Sequence, residues 1–121
     1  MKYLLLIYHE EGSWFRMPEN EHAKIYAEYR QLIGELTSRG VYLTGSQLER
    51  TATATSVRVR DGKELVTDGP FAETHEQLGG YFLIEAQNLD EAIGVARRIP
   101  SARTGTIEVR PLVETQASAG A

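Results

Sequence analysis

In the stretch DGPFAETHEQLGGY, from Asp68 to Tyr81, two carboxylates and an imidazole stand a few residues apart: Asp68, Glu73 and His75. A carboxylate beside an imidazole is a recurring acid–base device, because each group tunes the proton affinity of the other. These three residues are the catalytic candidates. Glu73 and His75 share a face if the segment is extended; they diverge if Thr74 opens a helical turn that Gln77 completes as a cap. Asp68 also has a plain structural reading, since an Asp ahead of Gly-Pro accepts hydrogen bonds from nearby backbone N–H groups and closes a turn. Phe71 is either a core plug or a substrate platform, and Tyr81 at the end of the stretch is a further substrate contact. Near the C-terminus, Glu108 and Arg110 alternate onto one strand face. They form either a rim ion pair worth about 0 to 1 kcal/mol or an anchor whose guanidinium grips an anionic small molecule with two parallel hydrogen bonds. His9, which ends an apolar strand, belongs at a pocket edge.

Other chemistries find less footing. His9, His22 and His75 offer no spacing that defines a metal site, so neither metal nor cofactor is expected. Gly79-Gly80 lacks the spacing and following helix of a phosphate or dinucleotide loop, and reads as a bulge or a close approach of two backbones. Ser46, Ser56 and Ser101 have no nucleophile-elbow context.

These side chains must be positioned by elements that the hydrophobic pattern makes legible. Lys2 to Tyr8 is apolar on both alternating faces, as in a central strand covered on both sides. His9 to Arg16 reads as a loop in which Trp14 and Phe15 close a pocket mouth or fill a seam between subunits. From Pro18, with Glu19 and Glu21 behind it, the residues Ile25, Tyr26, Tyr29, Leu32, Ile33 and Leu36 recur at helical spacing until Gly40 supplies a left-handed stop. Val41 to Leu48 is a strand. Thr55 to Arg60 and Lys63 to Thr67 flank Asp61-Gly62, the residue pair of a tight hairpin turn. Tyr81 to Ala86 is again apolar on both faces, Asn88 caps a second helix that Pro100 ends, and Thr106 to Val113 is the last strand. Residues 1–115 make one domain, and 116–121 are a small, polar tail.

Apolar residues at 41% and charged residues at 25% match ordinary globular usage, which argues against disorder. A net charge of −4 gives no basic field for nucleic acid. The absence of cysteine excludes disulfides and thiolate ligands. The apolar run from Tyr3 to Tyr8 is too short to span a bilayer, so no membrane association and a cytoplasmic location are expected.

Strand, helix, strand, inserted hairpin, strand, helix, strand is the α+β order of a ferredoxin-like split βαβ unit. Two helices cover only one face of such a sheet, yet the central strands are apolar on both. A second copy is the simplest cover, which predicts a homodimer, a dimeric α+β barrel.

The stretch DGPFAETHEQLGGY, with KYLLLIY at the start, the TATATSVRVRDG hairpin, LDEAIGVARRIP and the closing GTIEVRPL, resembles the DGPF-type members of the YCII-related family across nearly the whole chain. The resemblance implies a ferredoxin-like subunit, dimerisation through the sheet and a cleft near the DGPF turn. It also implies an association with extracytoplasmic-function sigma factors. Better-defined members pair a first-helix His with an Asp; Tyr29 stands at that helix position here, with His22 about two turns earlier. DGPF-type relatives carry Lys where this chain has His75. Two functions follow as expectations. One is a cofactor-independent acid–base enzyme using Asp68, Glu73 and His75, with Arg110 holding a small anion. The other is a non-catalytic accessory or ligand-sensing protein acting with a sigma factor.

Overall fold

The computed structural model describes residues 1–114; the expected tail at 116–121 lies outside the described residues. The elements are β1 (Lys2–His9), α1 (Glu11–Arg16), α2 (Glu19–Ser38), β2 (Tyr42–Gln47), β3 (Thr55–Arg60), β4 (Lys63–Asp68), β5 (Gln77–Glu85), α3 (Leu89–Ala96) and β6 (Thr106–Pro111), with short 3-10 turns at Thr51–Thr53 and Pro100–Arg103. Four strands form one antiparallel sheet in the order β2-β5-β1-β6. This is the ferredoxin-like arrangement, with the β3-β4 hairpin inserted as a separate two-stranded sheet.

Alternation along β1 sets the layers. Tyr3, Leu5 and Ile7 are buried and meet Ile84, Phe82 and Gly80 of β5 in register. On that same face lie Leu32 and Leu36 of α2 and Ala92, Val95 and Ala96 of α3, so both helices cover one side of the sheet. Leu4, Leu6 and Tyr8 point to the other side, opposite Leu83, Tyr81 and Leu78 of β5, and are only half-buried.

The helix ends follow their sequence signals. Beyond Ser38, Gly40 takes the left-handed φ of 73°. That geometry lets Val41 N donate to Leu36 O at 2.8 Å and Gly40 N to Thr37 O at 3.0 Å, a closure that satisfies two carbonyls the helix end would leave bare. Both Val41 and Leu36 are core residues, so the stop also aims the chain into β2. Asn88 Oδ1 accepts from Glu91 N at 2.9 Å, the capping contact its position predicts. At the hairpin tip Asp61 and Gly62 both take positive φ, 52° and 76°, as the tight turn requires.

Two segments differ from the sequence expectation. The residues after β1 form the short helix α1 rather than a loop, although it buries none of its own side chains; contacts from outside hold it. β5 starts at Gln77, so the Gly-Gly pair lies inside the strand and not ahead of it. Ile7 faces Gly80 while Tyr8 faces Leu78, which leaves Gly79 as the extra residue of a bulge.

Candidate functional site

Between α2 and the helix-facing side of the sheet lies a cleft of about 270 Å³. It exists because its floor lacks side chains: Gly45 of β2 and Gly79 and Gly80 of β5 all line it. A Cβ at Gly79 would overlap the His9 imidazole. One at Gly80 would come within 2.8 Å of Ser46 O, and one at Gly45 within 2.6 Å of both the Tyr42 hydroxyl and Tyr81 O. Glycine is thus required here for close approach, and the space so freed is roofed by one stripe of α2. Tyr26, Tyr29, Arg30 and Ile33 recur at three- and four-residue intervals and all face the cleft.

Aromatic rings set at right angles to one another build the walls. Trp14 stands edge-on to His9 (centroids 6.0 Å apart, planes at 85°) and to Tyr26 (5.6 Å, 87°), while Tyr42 meets Phe82 at 5.1 Å and 86°. Such pairs favour the edge-to-face geometry because ring edges are positive and faces negative. Trp14 comes from α1 and closes the mouth. Its ring stacks on His22 at 4.1 Å, and the His22 Nε2 lies 2.6 Å from Trp14 O.

α1 is tied down by side chains from three directions. Thr51 donates from its backbone N (2.7 Å) and its hydroxyl (2.9 Å) to the Glu11 carboxylate, and Glu11 N donates to Gln77 Oε1 at 2.9 Å. The Arg50 guanidinium sits 4.1 Å from the Phe15 ring centre. Gln77 also donates from Nε2 to Thr74 O at 2.6 Å, so the end of the DGPF stretch fixes the helix that carries the Trp14 lid.

The His9 imidazole lies against this floor, beside Gly79. Burial lowers its pKa, and the nearby negative charges of Glu11 and Glu76 oppose that shift without reversing it, so the imidazole is predominantly neutral at pH 7. Burial pushes the Tyr29 phenol up, against the hydrogen bond it shares with Ser101 Oγ at 2.7 Å, and burial likewise raises Tyr42. Both phenols therefore stay protonated.

Of the catalytic and substrate-binding candidates read from the sequence, His9 lines the cleft and the rest lie elsewhere; Trp14, expected at a pocket mouth or a subunit seam, lines it too. Asp68 and Glu73 are exposed and make no side-chain hydrogen bond or ion pair among the described residues. The His75 side chain is 89% exposed, 4.0 Å from Glu10, and Phe71 is 80% exposed. The DGPF turn is held by backbone: Gly69, at φ 95°, donates to Ala54 O at 2.7 Å and accepts from Ser56 Oγ at 2.8 Å. Within one chain Asp68, Glu73, His75 and Arg110 thus do not converge on one cavity. Tyr81, Glu108 and Arg110 lie on the sheet face away from the helices, where Arg110 Nε stands 3.8 Å from the Glu108 carboxylate. On that face burial, and after it the Glu108 carboxylate, raises the pKa of Tyr8. Among the described residues no group of three or more His, Asp or Glu is placed to hold a metal ion.

Sequence reasoning passed over Arg30, Tyr42 and Gln47 as cleft residues. The one signal for Arg30 was its place on the α2 stripe with Tyr26, Tyr29 and Ile33.

A family model described as the YCII-related domain matches residues 1–116. The chain is also similar to an uncharacterized protein of Rhizobium meliloti (strain 1021), 35% identical over 114 residues that span 93% of this chain and 92% of the relative.

Proposed function

The chain belongs to the YCII-related family, and from that premise we propose that it binds a small molecule in the cleft beneath α2 and moves a proton on it through His9. The observation that carries this reading is the setting of His9: a half-buried imidazole with a lowered pKa, on the wall of an aromatic cleft with a glycine floor. A neutral imidazole near pH 7 is a competent general base. It takes a proton from a carbon next to a carbonyl; the C–H electron pair becomes an enolate. In a β,γ-unsaturated carbonyl compound the enolate is conjugated with the double bond, so the imidazolium returns the proton at the γ-carbon. The double bond moves into conjugation with the carbonyl and the net change is an isomerisation. The protonated phenol of Tyr42 is suited to donate a hydrogen bond to the enolate oxygen as charge develops there.

The test is deuterium incorporation from D2O into a panel of small carbonyl compounds, followed by NMR. Wild-type protein is expected to accelerate exchange of at least one compound, and His9→Gln to lose about 10²-fold or more of that rate while still binding. Full exchange by His9→Gln would remove His9 from the role. Asp68→Asn and His75→Ala are expected to leave exchange unchanged, since both side chains are exposed and outside the cleft.

A second reading, a ligand sensor, is favoured by the path from the Trp14 lid through Glu11 and Gln77 to the exposed DGPF segment. The same experiment separates the two: binding with no exchange in any compound supports the sensor, for which a sigma factor is the partner that the family resemblance implies. Either reading includes a homodimer, because Leu4, Leu6 and Leu83 present an apolar sheet face that no helix covers among the described residues.

A further inference from the structure

The chain carries a net charge of −4, yet among the described residues no Asp or Glu lines the cleft. Arg30 does line it, and among the described residues its guanidinium makes no ion pair and no side-chain hydrogen bond. Arginines on the neighbouring surface are engaged: Arg103 holds Glu28 at 2.8 Å, and Arg98 pairs with Glu35. Unpaired arginines on open surface are ordinary. Arg30 is exposed too, but it is set apart because it stands at the edge of a mostly apolar, half-open cleft whose other basic lining residue, His9, has its charge suppressed by burial.

We propose that the cleft selects a planar aromatic monocarboxylate, with the carboxylate on Arg30 and the ring lying in the cleft against the Trp14–Tyr26 pair. This rests on the reading that the cleft is the ligand site. A guanidinium fits a carboxylate with two parallel N–H···O bonds. The edge-to-face walls suit a flat ring, whose own faces and edges complement theirs. One unpaired cation without a second favours a single negative charge over a phosphate dianion. A cationic ligand meets Arg30 with no carboxylate to offset it.

Trp14 is the sole tryptophan, so its fluorescence reports on the cleft mouth directly. The experiment titrates the full chain with phenylacetate, phenylacetamide and phenethylammonium, three molecules of one shape and different charge, by calorimetry and by Trp14 emission. Phenylacetate is expected to bind about tenfold or more tightly than the amide, and the ammonium ion most weakly. Arg30→Gln should bring phenylacetate down to the amide's affinity and leave the amide unchanged; Arg58→Gln, the same charge change on the hairpin, should leave the preference intact. Equal affinity of acid and amide for the wild type, or a preference that survives in Arg30→Gln, overturns the anion assignment while the cleft reading stands. Absence of any Trp14 response to all three compounds overturns both.

Discussion

At His9 burial outweighs the neighbouring acids, and the direction of the resulting shift can be followed into stability. The folded chain binds a proton at His9 less readily than the unfolded chain, whose histidine titrates near 6.5. Below that value the unfolded state holds more protons, so stability falls as pH drops; above it the contribution of neutral His9 is fully present. Urea unfolding compared at about pH 7.5 and about pH 5.5 should therefore show a loss at the lower pH that His9→Gln reduces. An identical loss in the variant would mean that His9 is not the group responsible. His9 was legible as a pocket residue because it ends a strand that is apolar throughout, and a polar residue in that place faces either solvent or a site. Arg30 was not legible in the same way. Its position on the α2 stripe says which direction it faces, but the space it faces is made by Gly45, Gly79 and Gly80 in distant strands, and only tertiary pairing brings those glycines under the helix.

The short helix α1 shows how an element can be stable without a buried face. A helix this short is not stable alone, and its sequence reads as loop for that reason. Its order comes from Glu11, Phe15 and Trp14 meeting Thr51, Arg50 and His22, residues that lie tens of positions apart from it or on the next helix. The two bonds that Thr51 donates to the Glu11 carboxylate are charge-assisted, a class worth about 1.5 to 3 kcal/mol each. Glu11→Ala is accordingly expected to free the lid locally: acrylamide should quench Trp14 more strongly, with a smaller change in the global unfolding midpoint than a core truncation gives. Quenching equal to wild type would show that the lid is held without Glu11. The DGPF stretch gains meaning at this scale too. Its sequence is conspicuous because Gly69 needs a positive φ and Gly79 makes the bulge, whereas its contribution to the site comes through Gln77, which the sequence offers only as the far end of a cap opened by Thr74.

For the whole molecule, the ferredoxin-like order was legible because each strand and helix carried its own period and stop signal, from the Gly40 closure to the Asn88 cap. The proposed association rests on what the sheet leaves open. Leu4 faces Arg110 on β6 and Leu83 on β5, so Leu4→Glu gives the new carboxylate a cross-strand partner within the monomer while placing charge on the proposed interface. Light scattering should report twice the chain mass for the wild type and the chain mass for Leu4→Glu, with both folded by circular dichroism. A wild-type monomer at micromolar concentration would sink the homodimer. The β3-β4 hairpin follows the same logic at smaller scale: Val57, Val59 and Val66 are 58 to 62% exposed, and a two-stranded ribbon alone is marginal in water.

The strict alternation of β1 reaches further than packing. Its odd positions, Tyr3, Leu5, Ile7 and His9, answer to the helices and the cleft, while its even positions, Leu4, Leu6 and Tyr8, answer to the open face. One strand thus carries two interleaved messages that selection can edit separately. A substitution at Leu4 or Leu6 acts on the proposed interface and one at Ile7 or His9 on the proposed ligand cleft, without either change reaching the other face.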